Sequence, residues 1–257
     1  MKSLNRFTPP VRNKSAAVEP QTALQKKLGQ HGSPFKRYHR SVVGQNGYLQ
    51  LFLYEIINFF LIPLPGRTGL FFRRLALPLI LGRLGKKVHM GPDCTIRNGR
   101  KIFIGQGAII GTKVTLDVKT GENALILGDG VRIGSRTILN CNGAVMEIGN
   151  GTNIGTACRL GSLKGLKVGQ RCQLGEQVCI SGASHAFSDT DISIIHQPVT
   201  CKGQTVIGDQ VTIGERVTIL DGVTIGDGVT IMPGSLVNKD IATGALVSGV
   251  PARLVST

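Results

Sequence analysis

The chain has 257 residues, of which 35 are glycine and none is tryptophan, and its formal net charge is +15. Residues 1–90 carry almost all of this charge, because they hold 15 Lys and Arg against two Glu. A basic balance can indicate a nucleic-acid partner. No recognised nucleic-acid-binding module and no interleaved aromatic residues accompany it here, so we expect no such partner.

The first 46 residues contain a Pro-Pro pair, many Lys and Arg and few aliphatic side chains. A segment of this composition is too polar to bury a hydrophobic core of its own. We therefore predict a basic flexible arm over residues 1–46.

Residues 47–83 contain two apolar stretches. In the first, Gln50, Tyr54 and Asn58 recur every four positions, which gives one narrow polar stripe on an otherwise apolar helix. Neither stretch reaches the ~18 uncharged residues that a membrane span needs, and we expect no signal peptide. Two interpretations stay open: a helical cap on the domain that follows, or a cap that also lies in a membrane interface with the basic arm on anionic headgroups.

Residues 84–240 contain seven successive triplets of aliphatic residues. Within each triplet, neighbouring members are six positions apart. The triplets are Leu84/Met90/Ile96, Ile104/Ile110/Leu116, Leu127/Ile133/Leu139, Ile148/Ile154/Leu160, Val168/Leu174/Ile180, Ile207/Ile213/Ile219 and Ile225/Ile231/Val237. Neither a helix nor a simple strand has this period. It is typical of a three-sided solenoid in which each face directs one aliphatic side chain inward. We predict an all-β solenoid of about seven coils.

The insertions in this repeat share one corner of the predicted solenoid. Successive triplets start 20, 23, 21, 20, 39 and 18 residues apart, and every extra residue falls between the third position of one triplet and the first of the next. The largest insertion predicts a loop over 181–206 that leaves the solenoid. Residues 241–257 are expected to form a C-terminal tail.

Three features together resemble the hexapeptide-repeat acyltransferases: the repeats, the stretch Ser181-Gly182-Ala183-Ser184-His185, and the closing Gly249-Val250-Pro251-Ala252-Arg253. Within that family the chain is most similar to sugar O-acetyltransferases of polysaccharide and lipopolysaccharide biosynthesis. The resemblance covers residues 47–255. It implies a left-handed parallel β-helix, a homotrimer, acetyl-CoA in the groove between adjacent prisms and a loop histidine as general base.

His185 stands at the position of the family's loop histidine, so the resemblance assigns it the role of general base. Acyl transfer to an alcohol needs a base that works near neutral pH, and an imidazole supplies one. Asp189 follows closely and is the candidate that orients the imidazole. The alternative for His185 is an ordinary loop histidine.

The resemblance places acetyl-CoA along the late coils. The residues carried over by position are Gly214, Glu215, Pro233, Asn238, Lys239 and Arg253. Lys239 and Arg253 suit phosphate by charge. Thr212, Glu215 and Pro233 depart from the family pattern, in which a Trp and two small residues are usual at these places.

Metal and disulfide chemistry are not expected. Metal sites on trimeric β-helices use three histidines on successive coils, and the coils of this chain offer none. Cys94, Cys158 and Cys172 each lie four residues after a repeat position, where later coils have valine, so we predict that they are buried side chains. We expect no disulfide and no zinc site.

Asp117 and Asn140 are the candidate acceptor-binding residues. Each follows the third repeat position of a coil, at the corner that later carries the loop. The alternative for each is a corner residue that satisfies a turn.

The function that the resemblance implies is acetyl transfer from acetyl-CoA to a hydroxyl of a sugar or glycan precursor in polysaccharide biosynthesis. Two alternatives stay open: N-acetylation of an amino sugar, and a non-catalytic scaffold recruited to a membrane. We expect a cytoplasmic protein, peripheral on the inner face of the plasma membrane in the lipid-binding interpretation.

Overall fold

The computed structural model describes residues 33–44, 47–119, 121–186, 191 and 197–255. Three helices come first: α1 (Pro34–Val42), α2 (Tyr48–Ile56) and α3 (Gly66–Ala76). A π-helical turn, Ile57–Leu61, continues α2, and a 3₁₀ turn, Leu77–Leu79, continues α3. A further 3₁₀ turn spans Gly99–Lys101.

Three sheets of parallel strands follow, and the coils from β1 to β23 visit them in rotation. Sheet A contains β1 (Arg83–Leu84), β4 (Ile102–Ile104), β7 (Leu125–Leu127), β10 (Met146–Ile148), β13 (Leu166–Val168), β18 (Thr205–Ile207) and β21 (Thr224–Ile225). Sheet B contains β2 (His89–Met90), β5 (Ile109–Ile110), β8 (Arg132–Ile133), β11 (Asn153–Ile154), β14 (Gln173–Leu174), β19 (Thr212–Ile213), β22 (Thr230–Ile231), β24 (Leu246–Ser248) and β25 (Arg253–Leu254), of which β25 is antiparallel to β24. Sheet C contains β3 (Thr95–Arg97), β6 (Thr115–Val118), β9 (Ile138–Cys141), β12 (Arg159–Ser162), β15 (Cys179–Ile180), β20 (Thr218–Ile219) and β23 (Leu236–Val237).

The predicted solenoid of about seven coils is therefore confirmed. Equivalent repeat positions pair in register from coil to coil, as Ile104 does with Leu127 and Ile148 with Val168. All the repeat positions are buried except Leu84 in the first coil, which is partly buried. Cys94, Cys158 and Cys172 are buried free thiols, as predicted.

Two of the three corners of the solenoid are columns of glycine. A Cβ on Gly134 would lie 2.5 Å from the carbonyl carbon of Gly155, and one on Gly155 would lie 2.4 Å from the carbonyl oxygen of Gly175. Contacts this short exclude a side chain, because the backbones of successive coils stack directly on each other there. The corner between sheets B and C therefore requires glycine in coil after coil.

The helical segment after residue 47 covers the open end of the first coil. Ile57, Ile62 and Leu77 are buried in the same apolar cluster as Met90 and the other repeat positions. Terminal coils of solenoids need such a cover, because their last aliphatic layer would otherwise face water. We call residues 48–81 the helical cap.

Helix α1 lies inside residues 1–46, so nine residues of the predicted flexible arm are helical. Val42 and Val43 are buried together with Leu51 and Tyr54 of α2. The Tyr38 hydroxyl also donates a 2.6 Å hydrogen bond to Glu55. The apolar Val-Val pair explains the difference, because it gives this part of the arm a surface to bury against α2. Residues 1–32 of the predicted arm lie outside the described residues.

Arg73 of α3 fastens the cap to the first coil. Its side chain is buried, and its guanidinium donates to the backbone oxygens of Met90 at 3.0 Å and Ile62 at 3.1 Å, and also to Leu64. Burial lowers the pKa of Arg73, since it disfavours the charged form. Carbonyl dipoles therefore replace the water that this cation would have in the unfolded chain.

Replacing Arg73 should destabilise the cap. In Arg73→Leu the buried carbonyl oxygens lose their donors, and each unsatisfied buried acceptor costs about 1–3 kcal/mol. We expect the free energy of unfolding, measured in urea, to fall by about 3 kcal/mol. The matched control is Arg74→Leu, because Arg74 is the exposed neighbour on the same helix. Equal unfolding midpoints for the two variants would contradict this role of Arg73.

None of the helices in the part of the chain that the structure describes is long and apolar enough to cross a membrane.

Candidate functional site

A column of polar residues stacks along the third corner of the solenoid, where each coil passes from sheet C to sheet A. The strand register places Arg97 beside Asp117, Asp117 beside Asn140, and Asn140 beside Gly161. The sequence predicted that Asp117 and Asn140 share a corner, and they lie in consecutive coils. This corner is the one from which the long insertion leaves.

Asp117 is a nearly buried carboxylate beside two cations. Its side chain is only 7% exposed, and its Oδ2 accepts a 2.7 Å hydrogen bond from the Lys119 ammonium. The Arg97 guanidinium lies 3.6 Å from the same oxygen. Lys119 and Arg97 thus compensate the charge of Asp117 from one side. Its other oxygen, Oδ1, is buried and has no hydrogen-bond partner among the described residues.

Two further polar atoms near Asp117 share this condition. Asn140 Oδ1 and Ser162 Oγ are buried without a hydrogen-bond partner within the described part of the chain. An unsatisfied buried polar atom costs about 1–3 kcal/mol, so such atoms are rare, and each needs a partner such as an ordered water, a ligand or a partner chain. Three of them in consecutive coils of one corner make this corner the candidate functional site.

Ser162 was not predicted as a site residue. It pairs in register with Cys141, which pairs with Val118, so all three occupy the inward position that follows the corner column. The sequence signal that could have found it is the change from Val118 to Cys141 to Ser162 at equivalent positions of three successive coils. A hydroxyl at a position that is otherwise apolar indicates that its surroundings become polar close to the loop.

The negative charge of Asp117 also affects Cys141, which lies in the inward-facing layer next to it. Burial and, to a smaller extent, the negative charge of Asp117 together raise the pKa of the Cys141 thiol to about 12. Cys141 therefore stays a neutral thiol at neutral pH and contributes packing rather than a nucleophile.

The root of the long loop is a two-stranded antiparallel pair, β16 (Ser184–His185) with β17 (Val199–Thr200). His185 is paired with Val199, and the backbone N–H of Ala186 donates to Pro198 O at 2.9 Å. Below the pair, a Cβ on Gly182 would lie 2.7 Å from the carbonyl carbon of Gly161. The chain that leads to His185 therefore starts in direct backbone contact with the top of the polar column.

The predicted catalytic residues are described only in part. The backbone of His185 lies in the loop root, whereas its side chain and the whole of Asp189 lie outside the described residues. The general-base assignment of His185 and the orienting role of Asp189 stay predictions.

Five of the six predicted cofactor residues lie at the two corners of the solenoid that flank sheet C. Asn238 and Lys239 follow β23 at the corner of the loop root, and Gly214, Glu215 and Pro233 follow strands of sheet B at the opposite corner. Glu215 and Lys239 are exposed. Asn238 and Lys239 therefore lie at the same corner as the loop root. Gly214, Glu215 and Pro233 lie on the other side of sheet C, one sheet width away.

Arg253 lies on β25, which ends sheet B, and it is exposed. The segment before it also closes sheet C, because the Ala252 N–H donates to Leu236 O at 2.7 Å and the Leu236 N–H donates to Gly249 O at 3.0 Å. The closing motif, residues 249–253, therefore places the Arg253 cation where sheets B and C end.

Pro233 is one of the departures from the family pattern, and the structure explains how it fits. A Cβ on Gly214 would lie 2.5 Å from the Pro233 nitrogen. The glycine in the preceding coil leaves the room that the proline ring uses. Its effect on cofactor binding stays a prediction.

No group of three His, Cys, Asp or Glu side chains within the described ranges could hold a metal ion.

Residues 204–239, which form coils six and seven, match the family model for the bacterial transferase hexapeptide, described as six repeats. These repeats are bacterial transferase hexapeptide repeats. The predicted resemblance is thereby confirmed. A search of curated proteins found no match.

Several solved structures are similar to this hexapeptide-repeat chain. A maltose O-acetyltransferase from Clostridium difficile 630 is 20% identical, with 82% of this chain and 88% of that chain covered and a TM-score of 0.42. AntD, an N-acyltransferase from Bacillus cereus solved with dTDP and coenzyme A, is 20% identical over 71% of this chain and 87% of that chain, with a TM-score of 0.49. A hexapeptide-repeat acetyltransferase from Vibrio cholerae, solved with acetyl coenzyme A, is 21% identical over 86% of this chain and 97% of that chain, with a TM-score of 0.39.

The backbone contact below the loop root gives a stability prediction. In Gly182→Ala the new methyl group meets the Gly161 backbone, so the loop root must shift, and overpacking of this kind costs about 1–3 kcal/mol. We expect a lower melting temperature for this variant. The control is Gly47→Ala, because a Cβ on Gly47 meets nothing within 4 Å. If Gly182→Ala melts with the wild type, the loop root is not seated on the polar column as described.

Proposed function

We propose that this protein is an acetyltransferase that moves the acetyl group of acetyl-CoA to a hydroxyl of a sugar or glycan precursor. The observation that carries the proposal is the C–A corner of a hexapeptide-repeat solenoid. There a nearly buried carboxylate, two further unsatisfied polar atoms and the root of the His185 loop lie together. The other two corners are columns of glycine with stacked backbone and carry no comparable cluster of buried, unpaired polar side chains among the described residues.

The polar column suits a polyhydroxylated acceptor. At the corner, Asp117 Oδ1 is an acceptor for a hydroxyl and Asn140 offers an amide, whereas the Ser162 hydroxyl lies on the inward side next to them. Sugars present several such groups at close spacing. A site that hydrogen-bonds hydroxyls also rejects analogues that lack them, because its own buried atoms would then stay unpaired.

In the proposed reaction, the His185 imidazole removes the proton of the acceptor hydroxyl while that oxygen bonds to the carbonyl carbon of the thioester, and the carbon–sulfur bond then breaks. The imidazolium then gives its proton to the departing sulfur, so no net charge is left on the protein. Acetyl-CoA supplies an acetyl group that is already activated as a thioester. The carboxylate of Asp189 holds the imidazole in the tautomer that accepts the proton.

The residues proposed for acetyl-CoA lie beside sheet C. Lys239 and Arg253 are exposed cations near the C-terminal end of the solenoid and suit the phosphates of coenzyme A. Asn238 and Gly214 offer polar backbone and amide groups for the pantetheine arm. Glu215 is exposed as well, and its charge is unfavourable next to a phosphate, so a position of the phosphates near Lys239 is favoured over one near Glu215.

We infer from the same resemblance that the protein is a cytoplasmic homotrimer whose adjacent prisms share the cofactor groove. Sedimentation measures the number of chains, and a stable monomer would remove the shared groove from the proposal.

Removing the proposed base should abolish transfer. In His185→Ala we expect thiol release from acetyl-CoA, measured with a panel of sugar acceptors, to fall by about 10²–10⁴-fold. The control is His89→Ala, because His89 is an exposed histidine of the first coil. If His185→Ala and the wild type release thiol equally with every acceptor, the catalytic role is wrong. A wild type that releases none favours the scaffold alternative.

The bond that forms distinguishes a hydroxyl from an amine acceptor. Hydroxylamine cleaves an acetyl ester under mild conditions and leaves an acetamide intact. We expect the product to be sensitive to hydroxylamine. A resistant product, formed only from amino sugars, would replace O-acetylation with the N-acetylation alternative while keeping His185 as base.

Asp117 should determine acceptor affinity rather than folding. In Asp117→Asn the shape is kept and the charge is lost, and we expect the KM for the acceptor to rise about tenfold while the KM for acetyl-CoA stays unchanged. The matched control is Asp129→Asn. Asp129 is a corner carboxylate whose Oδ1 accepts a hydrogen bond from the Gln106 N–H at 2.8 Å, outside the polar column. Equal acceptor KM values in the two variants would show that Asp117 serves only the turn.

A further inference from the structure

The helical cap has two apolar faces, and only one of them covers the solenoid. On α2 and its π-helical turn, Leu51, Tyr54 and Ile57 are buried. The opposite face is exposed and consists of Tyr48, Leu49, Phe52, Ile56, Phe59 and Phe60. These positions recur at helical spacing, and Phe59 is 74% exposed. The exposed side is therefore one continuous aromatic and aliphatic face.

The polar stripe of this helix points away from that face. Gln50 donates from its amide to Leu79 O at 3.0 Å, and its Oε1 accepts a hydrogen bond from Arg100 at 3.3 Å. Tyr54 is buried, and Asn58 donates back to the Tyr54 carbonyl at 2.8 Å. Gln50 therefore ties the helix to the turn after α3 and to the first coils. The helix cannot turn its phenylalanines inward without breaking these two Gln50 bonds and exposing Tyr54.

Helix α3 repeats the arrangement. Gly69, Arg73 and Ala76 are buried against the rest of the cap and the first coil. Its outer face carries Phe71, Phe72, Leu75 and Leu79, all exposed. Five of the nine phenylalanines of the chain thus lie exposed on two neighbouring helices. An exposed apolar surface that large marks an interaction site in a folded protein.

The charges around these faces have one sign. Arg67 lies one helical turn before Phe71, and Arg74 lies between Phe71 and Leu75; both arginines are exposed. Helix α1, which packs on α2, adds Lys36, Arg37 and Arg40. Between residues 20 and 92 the only acidic residue is Glu55, which accepts the hydrogen bond of Tyr38. Apolar side chains bordered by cations, with almost no carboxylate, complement an anionic lipid surface.

The dimensions favour binding in the plane of the membrane. The helix from Tyr48 to Leu61 has 14 residues, which is roughly 21 Å at 1.5 Å per residue and less than the ~30 Å hydrocarbon thickness. We propose that the exposed face of the helical cap binds the surface of a membrane that contains anionic lipid, with its phenylalanines in the interface and its arginines at the headgroups. This inference is independent of the proposed acetyl transfer.

A second copy of the chain is the competing occupant. A symmetric contact through the same face would bring Arg67 and Arg74 of one copy next to those of the other, with no carboxylate on that face to pair with them. Like charges in a desolvated contact are unfavourable. A lipid surface meets both requirements of the face, because it buries the rings and pairs the cations.

The test uses the full chain and two kinds of vesicle, phosphatidylcholine alone and phosphatidylcholine with roughly one-third phosphatidylglycerol. We expect the protein to float with the anionic vesicles. In the double variant Phe59→Ser/Phe60→Ser, binding should weaken by about tenfold or more, because two rings no longer enter the interface. Phe103→Ser is the matched control, since Phe103 is a partly exposed phenylalanine on sheet A, and it should bind like the wild type.

The electrostatic part is tested separately. Arg67→Gln/Arg74→Gln should reduce the preference for phosphatidylglycerol, and raising the ionic strength from about 0.1 M to about 1 M should weaken binding, because the Debye length falls from ~10 Å to ~3 Å. All these side chains are exposed, so the variants should melt with the wild type.

Three outcomes would overturn the inference. The first is a wild type that floats with neither vesicle. The second is a Phe59→Ser/Phe60→Ser variant that binds as tightly as the wild type, which would assign the binding to the basic residues 1–32 alone. The third is a smaller particle for this variant in sedimentation with unchanged flotation, which would make the face a contact between copies of the chain.

Discussion

Parallel pairing in a constant register is the constraint on which the rest of this structure depends. Each strand pairs with its equivalents in the coils before and after it, so the repeat positions stack into one continuous aliphatic interior. A register slip of one residue would turn the repeat position of that strand away from the interior. The six-residue period and the register therefore specify each other, and strands of only two to four residues suffice to hold the fold.

The same constraint decides where the chain can carry a site. At the two glycine corners successive backbones are in direct contact, as between Gly134 and Gly155, and an inserted residue has no place to go. The C–A corner is different in the first three coils, because Arg97, Asp117 and Asn140 follow the repeat position there, where the other corners have glycine. The insertions fall at this corner, and polar side chains accumulate beside them. Packing thus confines the insertions to one edge of the solenoid.

The sequence predicted the solenoid well because its signal is local and periodic. Counting alone identified the coils, the corner of insertion and the corner that Asp117 and Asn140 share, and the structure pairs these two residues in register. Ser162 was missed because its burial depends on a register across three coils and not on its neighbours in sequence. The pairing of the Asp117 carboxylate with both Lys119 and Arg97 was missed for the same reason, since Arg97 belongs to another coil.

The helical cap shows a second limit of sequence reasoning. A helix that is apolar on nearly all sides has no hydrophobic face that periodicity can identify, so the sequence could not show which side meets the solenoid. Two hydrogen-bonding side chains settle the orientation, and their partners are distant in sequence: Gln50 bonds Leu79 and Arg100, and Arg73 bonds Met90. Tyr54 adds a buried side chain that packs with Val42 and Val43. Polar groups therefore orient the cap, while apolar burial supplies its stability.

The solenoid also fixes the distance between the two proposed surfaces. The loop root follows coil five, and the cap covers coil one. Four coil steps of ~4.8 Å separate them by roughly 19 Å along the axis. Because the coils are rigidly paired, a cap bound to lipid would hold the polar column at a set height above the membrane. A sugar that projects from a lipid anchor would then have to span this height, whereas a free sugar would not.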